Sequence, residues 1–94
     1  MVESSSESVT VFIPPLLRSL AGGAECVVVA PGTLREVIEA INGQHTGLRN
    51  RLLTGDEIRP DLSVSVNDTV ISRGLAEPVP PGCEVHFLPA LGGG

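Results

Sequence analysis

The sequence predicts a two-layer α+β fold: a mixed sheet of four to five strands packed on one main helix, plus a short helix. Three observations predict it. Apolar and polar residues alternate in short segments near both ends of the chain and in its middle, which is the period of strands. One segment carries apolar residues at i, i+3, i+4 and i+7, the period of a helix. A single amphipathic helix covers only one face of a sheet, so a second helical layer is not implied. The 94 residues allow one domain, and a chain of this size buries about 60–65% of the surface its unfolded form exposes.

The elements follow in order. Residues 1–8 are polar, rich in Ser and Glu, and are expected to form a flexible N-terminal tail. Val9 to Ile13 alternates with β-branched residues until Pro14-Pro15 stops it, so it reads as a strand. Val9, Val11 and Ile13 then face the core, and Thr10 and Phe12 the other side. Leu16 to Leu20 reads as a connector and Ala21-Gly22-Gly23 as a turn into a second strand, Cys26 to Val29, hairpinned to the first. Thr33 stands three residues before Glu36, the spacing of a capping box. Leu34, Val37, Ile38 and Ile41 form the apolar stripe of the helix that follows, with Gly43 as its C-terminal signal.

Leu48, Leu52 and Leu53 suggest a short helix over residues 47–53, and Asp56 to Asp61 a polar loop. Leu62, Val64 and Val66 alternate with Ser63 and Ser65, a strand with one solvated face. Asn67-Asp68 is a turn and Val70-Ile71 a short return strand. Pro78, Pro80, Pro81 and Gly82 keep residues 74–82 irregular, and Val85 to Leu88 is the last strand, stopped by Pro89. The domain is thus expected over residues 9–89, with residues 90–94 a flexible glycine tail. A hairpin, a crossing helix and later strands returning to the same sheet make a β-grasp, or ubiquitin-like, arrangement.

Composition excludes several function classes. Six Arg oppose eleven Asp plus Glu, a net charge of −5, which repels a nucleic-acid backbone and an anionic membrane surface. No apolar run nears the ~18 residues that span a bilayer. Trp and Tyr are absent and Phe occurs twice, too few for a base-stacking platform. No lysine is present, so a phosphate-binding or Schiff-base lysine and an internal isopeptide acceptor are excluded. Cys26 and Cys83 form no CxxC, and the first residues lack the basic and apolar regions of an export signal; cytosolic thiols and a cytoplasmic location are expected. HExxH, GxSxG and GxGxxG motifs are missing, and His45 and His86 are the only histidines. No catalytic residue and no metal site is therefore expected, and Glu36 and Glu39 read as a cap and a solvated helix face.

The informative feature is Gly92-Gly93-Gly94. Three glycines have no side chains to pack and lose the most backbone freedom on ordering. They read either as a frayed end or as a tail that threads a narrow site in another protein, where any Cβ would clash. On a small β-grasp domain, directly after the last strand, threading is the stronger reading, with Gly94 bearing the reactive carboxylate and Leu91, Gly92 and Gly93 leading it in.

The chain resembles the ubiquitin-like sulfur carriers of the MoaD/ThiS family, most of all the actinobacterial branch that supplies sulfur for cysteine, with relatives serving thio-containing secondary metabolites. The resemblance rests on Val9-Thr10-Val11 running into Ile13-Pro14, Leu17-Arg18, Gly22-Gly23, Val64-Ser65-Val66-Asn67-Asp68, Gly74-Leu75 and Gly82-Cys83-Glu84-Val85. Its most specific part is Leu88-Pro89-Ala90-Leu91-Gly92-Gly93-Gly94, one glycine longer than the common ending. The resemblance implies a protein co-substrate with no bound cofactor. An E1-like adenylyltransferase/sulfurtransferase would use ATP to adenylate Gly94, and sulfur would replace AMP to leave a thiocarboxylate. A sulfur-accepting biosynthetic enzyme would then take the sulfur, and in the cysteine branch a metal-dependent peptidase would trim the extended carrier.

In a β-grasp sheet the first and last strands are neighbours. Phe12, His86 and Leu88 alternate out of phase with the core set, so one exposed patch near the tail is expected to meet a partner. Three other readings of the chain stay open on sequence: a modifier joined to lysines of other proteins, the small subunit of a molybdopterin synthase, and a plain binding module.

Overall fold

A computed structural model describes residues 8–89. The strands are β1 (Val9–Phe12), β2 (Cys26–Val29), β3 (Gly32–Thr33), β4 (Leu53–Thr54), β5 (Glu57–Ile58), β6 (Leu62–Val66), β7 (Thr69–Val70), β8 (Pro78–Val79) and β9 (Glu84–Pro89). Helices α1 (Leu34–Gln44) and α2 (Leu48–Leu52) lie between β3 and β4. Five strands form one sheet in the order β2-β1-β9-β6-β7, while β3-β8 and β4-β5 make two small ribbons. The hairpin β1-β2, the crossing helix and a last strand inserted at the sheet centre constitute the β-grasp expected from the sequence. β9 runs parallel to β1, with Val11 opposite Val85, and antiparallel to β6, with Val64 opposite Phe87.

The core lies between this sheet and α1. Val9, Val11, Val85 and the helix residues Leu34, Val37, Ile38 and Ile41 are fully buried, joined by Ile13, Val64 and Phe87. Val66 was expected with them and is only half-buried, because it ends β6 beside the turn. α1 starts as its sequence predicts: the Thr33 hydroxyl accepts from the Glu36 amide, and the Glu36 carboxylate accepts from the Thr33 amide at 2.9 Å. Such a cap stabilises a helix by about 1 kcal/mol.

Gly43 does not end α1. The helix runs on to Gln44, and the chain reverses instead at Gly47, whose φ of 106° few other residues tolerate. Gly47 has no side chain with which to cap α2. Asn42 of α1 does so, its Oδ1 accepting from the amides of Gly47 and Arg49, both at 3.1 Å. At the far end of the sheet Asn67 and Asp68 both have positive φ, 51° and 69°, as a type I′ hairpin turn requires. The Asn67 side chain accepts from the Glu84 amide and donates to the Cys83 sulfur, tying this turn to the start of β9.

Three segments hold more structure than the sequence suggests. Residues 15–21 form a 3-10 helix rather than an irregular connector, started by Pro15 and ended at Gly22 with φ 66°. The polar loop 56–61 contains β5, which folds back on β4. Residues 74–82 contain a 3-10 turn at Gly74–Ala76 and then β8, which pairs with β3. Two-residue strands leave no period to detect. The Ser8 carbonyl accepts from the Gly82 amide at 2.8 Å.

Candidate functional site: the outer sheet face and the root of the tail

The sheet face turned away from α1 is built by strand alternation. Phe12 lies beside His86 in the parallel β1-β9 register, and their rings stack at 4.4 Å between centroids with planes 3° apart. Stacking of this kind adds about 0.5–1.5 kcal/mol beyond burial and fixes both rings in one orientation. Leu88, two residues further along β9, is 43% exposed. Phe12, His86 and Leu88 thus share one face, on which Phe12 and His86 are half-buried and Leu88 is exposed.

That face is wider than the sequence reading made it. Cys26 is paired with Phe12, and Val28, 56% exposed, with Thr10. Val70, 61% exposed, is paired with Ser65 on the far side, and Ser65 sits opposite His86. Ser65 is itself nearly buried in the valley between them. The alternation of Cys26 and Val28 with buried Val27 and Val29 carried the signal for this extension. The result is a face across β2, β1 and β9 that is largely apolar around Phe12, His86, Leu88 and Val28, with Thr10 and the exposed Glu84 at one end.

Chemistry of its own is not assembled there. Among the described residues no three His, Cys, Asp or Glu side chains gather to hold a metal. Cys26 is exposed and Cys83 buried, and the two are not bonded. Among the described residues every buried side-chain nitrogen and oxygen has a partner. No helix among the described residues is long and apolar enough to cross a membrane.

β9 ends where the tail begins. Its last residues pair with the start of β6, Leu88 with Ser63 and Pro89 with Leu62. The sequence-predicted Leu91, Gly92, Gly93 and Gly94 lie outside the described residues.

Comparison with known proteins agrees with this architecture. The ThiS family model matches residues 11–94. The sulfur carrier protein CysO of Mycobacterium tuberculosis strain H37Rv is 34% identical over 92 residues, covering 93% of this chain and 99% of that protein. A chain of the crystal structure of the Amycolatopsis orientalis BexX/CysO complex superposes with a TM-score of 0.84 at 35% identity, covering 92% of this chain and 99% of its own. The crystal structure of Mycobacterium tuberculosis CysO gives 0.81 at 33% identity, over 88% and 99% respectively.

Proposed function

The chain belongs to the ThiS family, and on that premise we propose that it is a sulfur carrier whose reacting group is the Gly94 carboxylate. It acts as a protein substrate, not as an enzyme. The observation that carries the reading is that the family match runs through residue 94, on a β-grasp domain whose central strand ends at Pro89, five residues before Gly94.

A carboxylate is a poor electrophile because its oxide is a poor leaving group. An E1-like enzyme supplies ATP, and the Gly94 carboxylate attacks the α-phosphorus, releasing pyrophosphate and forming an acyl-adenylate. A sulfide-equivalent nucleophile then attacks the carbonyl carbon, AMP departs with the bonding electrons, and a thiocarboxylate remains. Sulfur is thereby stored as a tethered nucleophile, and a sulfur-accepting enzyme of cysteine or thio-metabolite synthesis consumes it. In the cysteine case a metal-dependent peptidase releases the product from the carrier. Gly92 and Gly93 let the chain pass where a Cβ would collide, and Leu91 leads them in. The outer sheet face, with Phe12, His86 and Leu88, docks on the activating enzyme. These steps take place in the cytoplasm, and the carrier holds no cofactor itself.

Support comes from the CysO relatives, which are named as sulfur carriers, and from the BexX/CysO complex, in which such a carrier is bound to another protein. Intact-mass measurement after incubation with an E1-like enzyme, ATP and a sulfur donor tests the reading. A mass gain equal to exchanging one oxygen for sulfur is expected. A ladder of larger conjugates would point to a lysine-directed modifier instead, and an unchanged mass would remove the carrier reading.

A further inference from the structure

A second surface lies beside the root of the tail. Pro14, Leu16, Leu17 and Leu62 line a cleft of about 230 Å³, and Leu62 is the residue paired with Pro89. Leu16 is 92% exposed, the most exposed of the large apolar residues described. It stands on the 3-10 helix that Pro15 initiates, so its position is held by backbone rather than by packing. Arg51 and Arg59 line the same cleft. Arg59 pairs with Asp61 at 3.5 Å, whereas Arg51 has no ion pair among the described residues. The ledge is therefore apolar with a net positive edge, on a chain whose overall charge is −5.

Chain length says what covers it. Residues 90–94 extend at most about 17 Å, at roughly 3.3–3.6 Å per residue. A protein that holds Gly94 in its active site must bring its own surface within that distance of Pro89. The ground next to Pro89 includes this ledge, through Leu62. We propose that Leu16 and the Arg51–Arg59 edge form a docking site for the activating enzyme, separate from the outer sheet face. Leu16 fills an apolar notch at the mouth of the channel that takes the tail, and the two arginines meet an acidic rim. A local positive edge also orients an acidic carrier as it approaches, since its remaining surface repels that rim.

The proposal rests on the carrier reading, and the test separates the two. The full chain is the varied substrate in ATP–pyrophosphate exchange by an E1-like adenylyltransferase of the same organism. For Leu16→Ser, and separately for the pair Arg51→Glu with Arg59→Glu, KM is expected to rise about 10-fold with kcat little changed, as for loss of a docking contact. The wild-type KM should climb with added salt and that of the double variant should not. Arg73→Glu is the charge control: Arg73 lines a cleft with Cys83 at the opposite end of β9, and its KM should stay near wild type. If wild type supports exchange and the ledge variants match it, the ledge is not a docking site while the carrier reading stands. Arg73→Glu makes half the charge change of the double variant, so a rise of about 3-fold in its KM also overturns the ledge, by reducing it to net charge. No exchange with wild type removes both.

Discussion

Ile38 and Asn42 sit one turn apart on α1 and show two kinds of dependence. Ile38 is fully buried against the sheet. Its truncation to Ala leaves a cavity the neighbouring strands cannot fill, so Ile38→Ala should cost roughly 2–5 kcal/mol in chemical denaturation. A near-neutral change would remove it from the core. Asn42 is half-buried, and its carbonyl oxygen satisfies two amides at the start of α2. Asn42→Ala should cost on the order of 1–2 kcal/mol, the range for a helix cap, and should speed amide exchange at Gly47 and Arg49 before other sites. The apolar stripe made Ile38 legible in sequence. Asn42 was not legible, because its partners come after the reversal at Gly47, and no local pattern reports a hydrogen bond across a turn.

Strand alternation was readable wherever a strand was long enough to alternate. β1, β6 and β9 each carry that period, which sets Phe12, His86 and Leu88 out of phase with the core residues, and the β-grasp order makes β1 and β9 neighbours. β4, β5 and β8 have two residues each, and were hidden inside polar or proline-rich segments. Leu16 was hidden for another reason: sequence reports that a residue is apolar, not that a proline-started 3-10 helix holds it out in water. At this scale the expected behaviour of Phe12→Asp follows. The aspartate would lose the His86 stack and place an unpaired charge within the proposed docking face, where desolvation is costly. Affinity for the activating enzyme, measured by calorimetric titration, should fall at least about 10-fold, while circular dichroism stays native. Unchanged affinity in a folded variant would take the sheet face out of the interface.

For the molecule as a whole, the core and the proposed reacting group are separable. Every buried apolar residue described lies between Val9 and Phe87, so changes to the last residues should not alter thermal unfolding. Deleting Gly93 and Gly94 withdraws the carboxylate by about 7 Å at full extension, far beyond the ~3–3.5 Å tolerance of a reacting pair. Mass spectrometry should then show no thiocarboxylate, with the melting temperature unchanged. Removing Gly94 alone restores a two-glycine ending and should leave partial loading, on Gly93. Undiminished loading after the double deletion would show that the reaction does not depend on Gly94.

The position of β9 has a mechanical consequence. It is bonded on both sides, to β1 and to β6, and the tail is its direct continuation. If a partner draws the tail in as proposed, and along the strand axis, the load falls on both neighbours of β9. Such a force loads two hydrogen-bond ladders in shear, many bonds at once, instead of peeling them one after another as it would at an edge strand. The tail thus follows a strand that has a neighbour on each side, β1 as far as His86 and β6 as far as Pro89. An enzyme that grips the glycines tightly, and lets go only after chemistry, can do so without unravelling the domain that brought them.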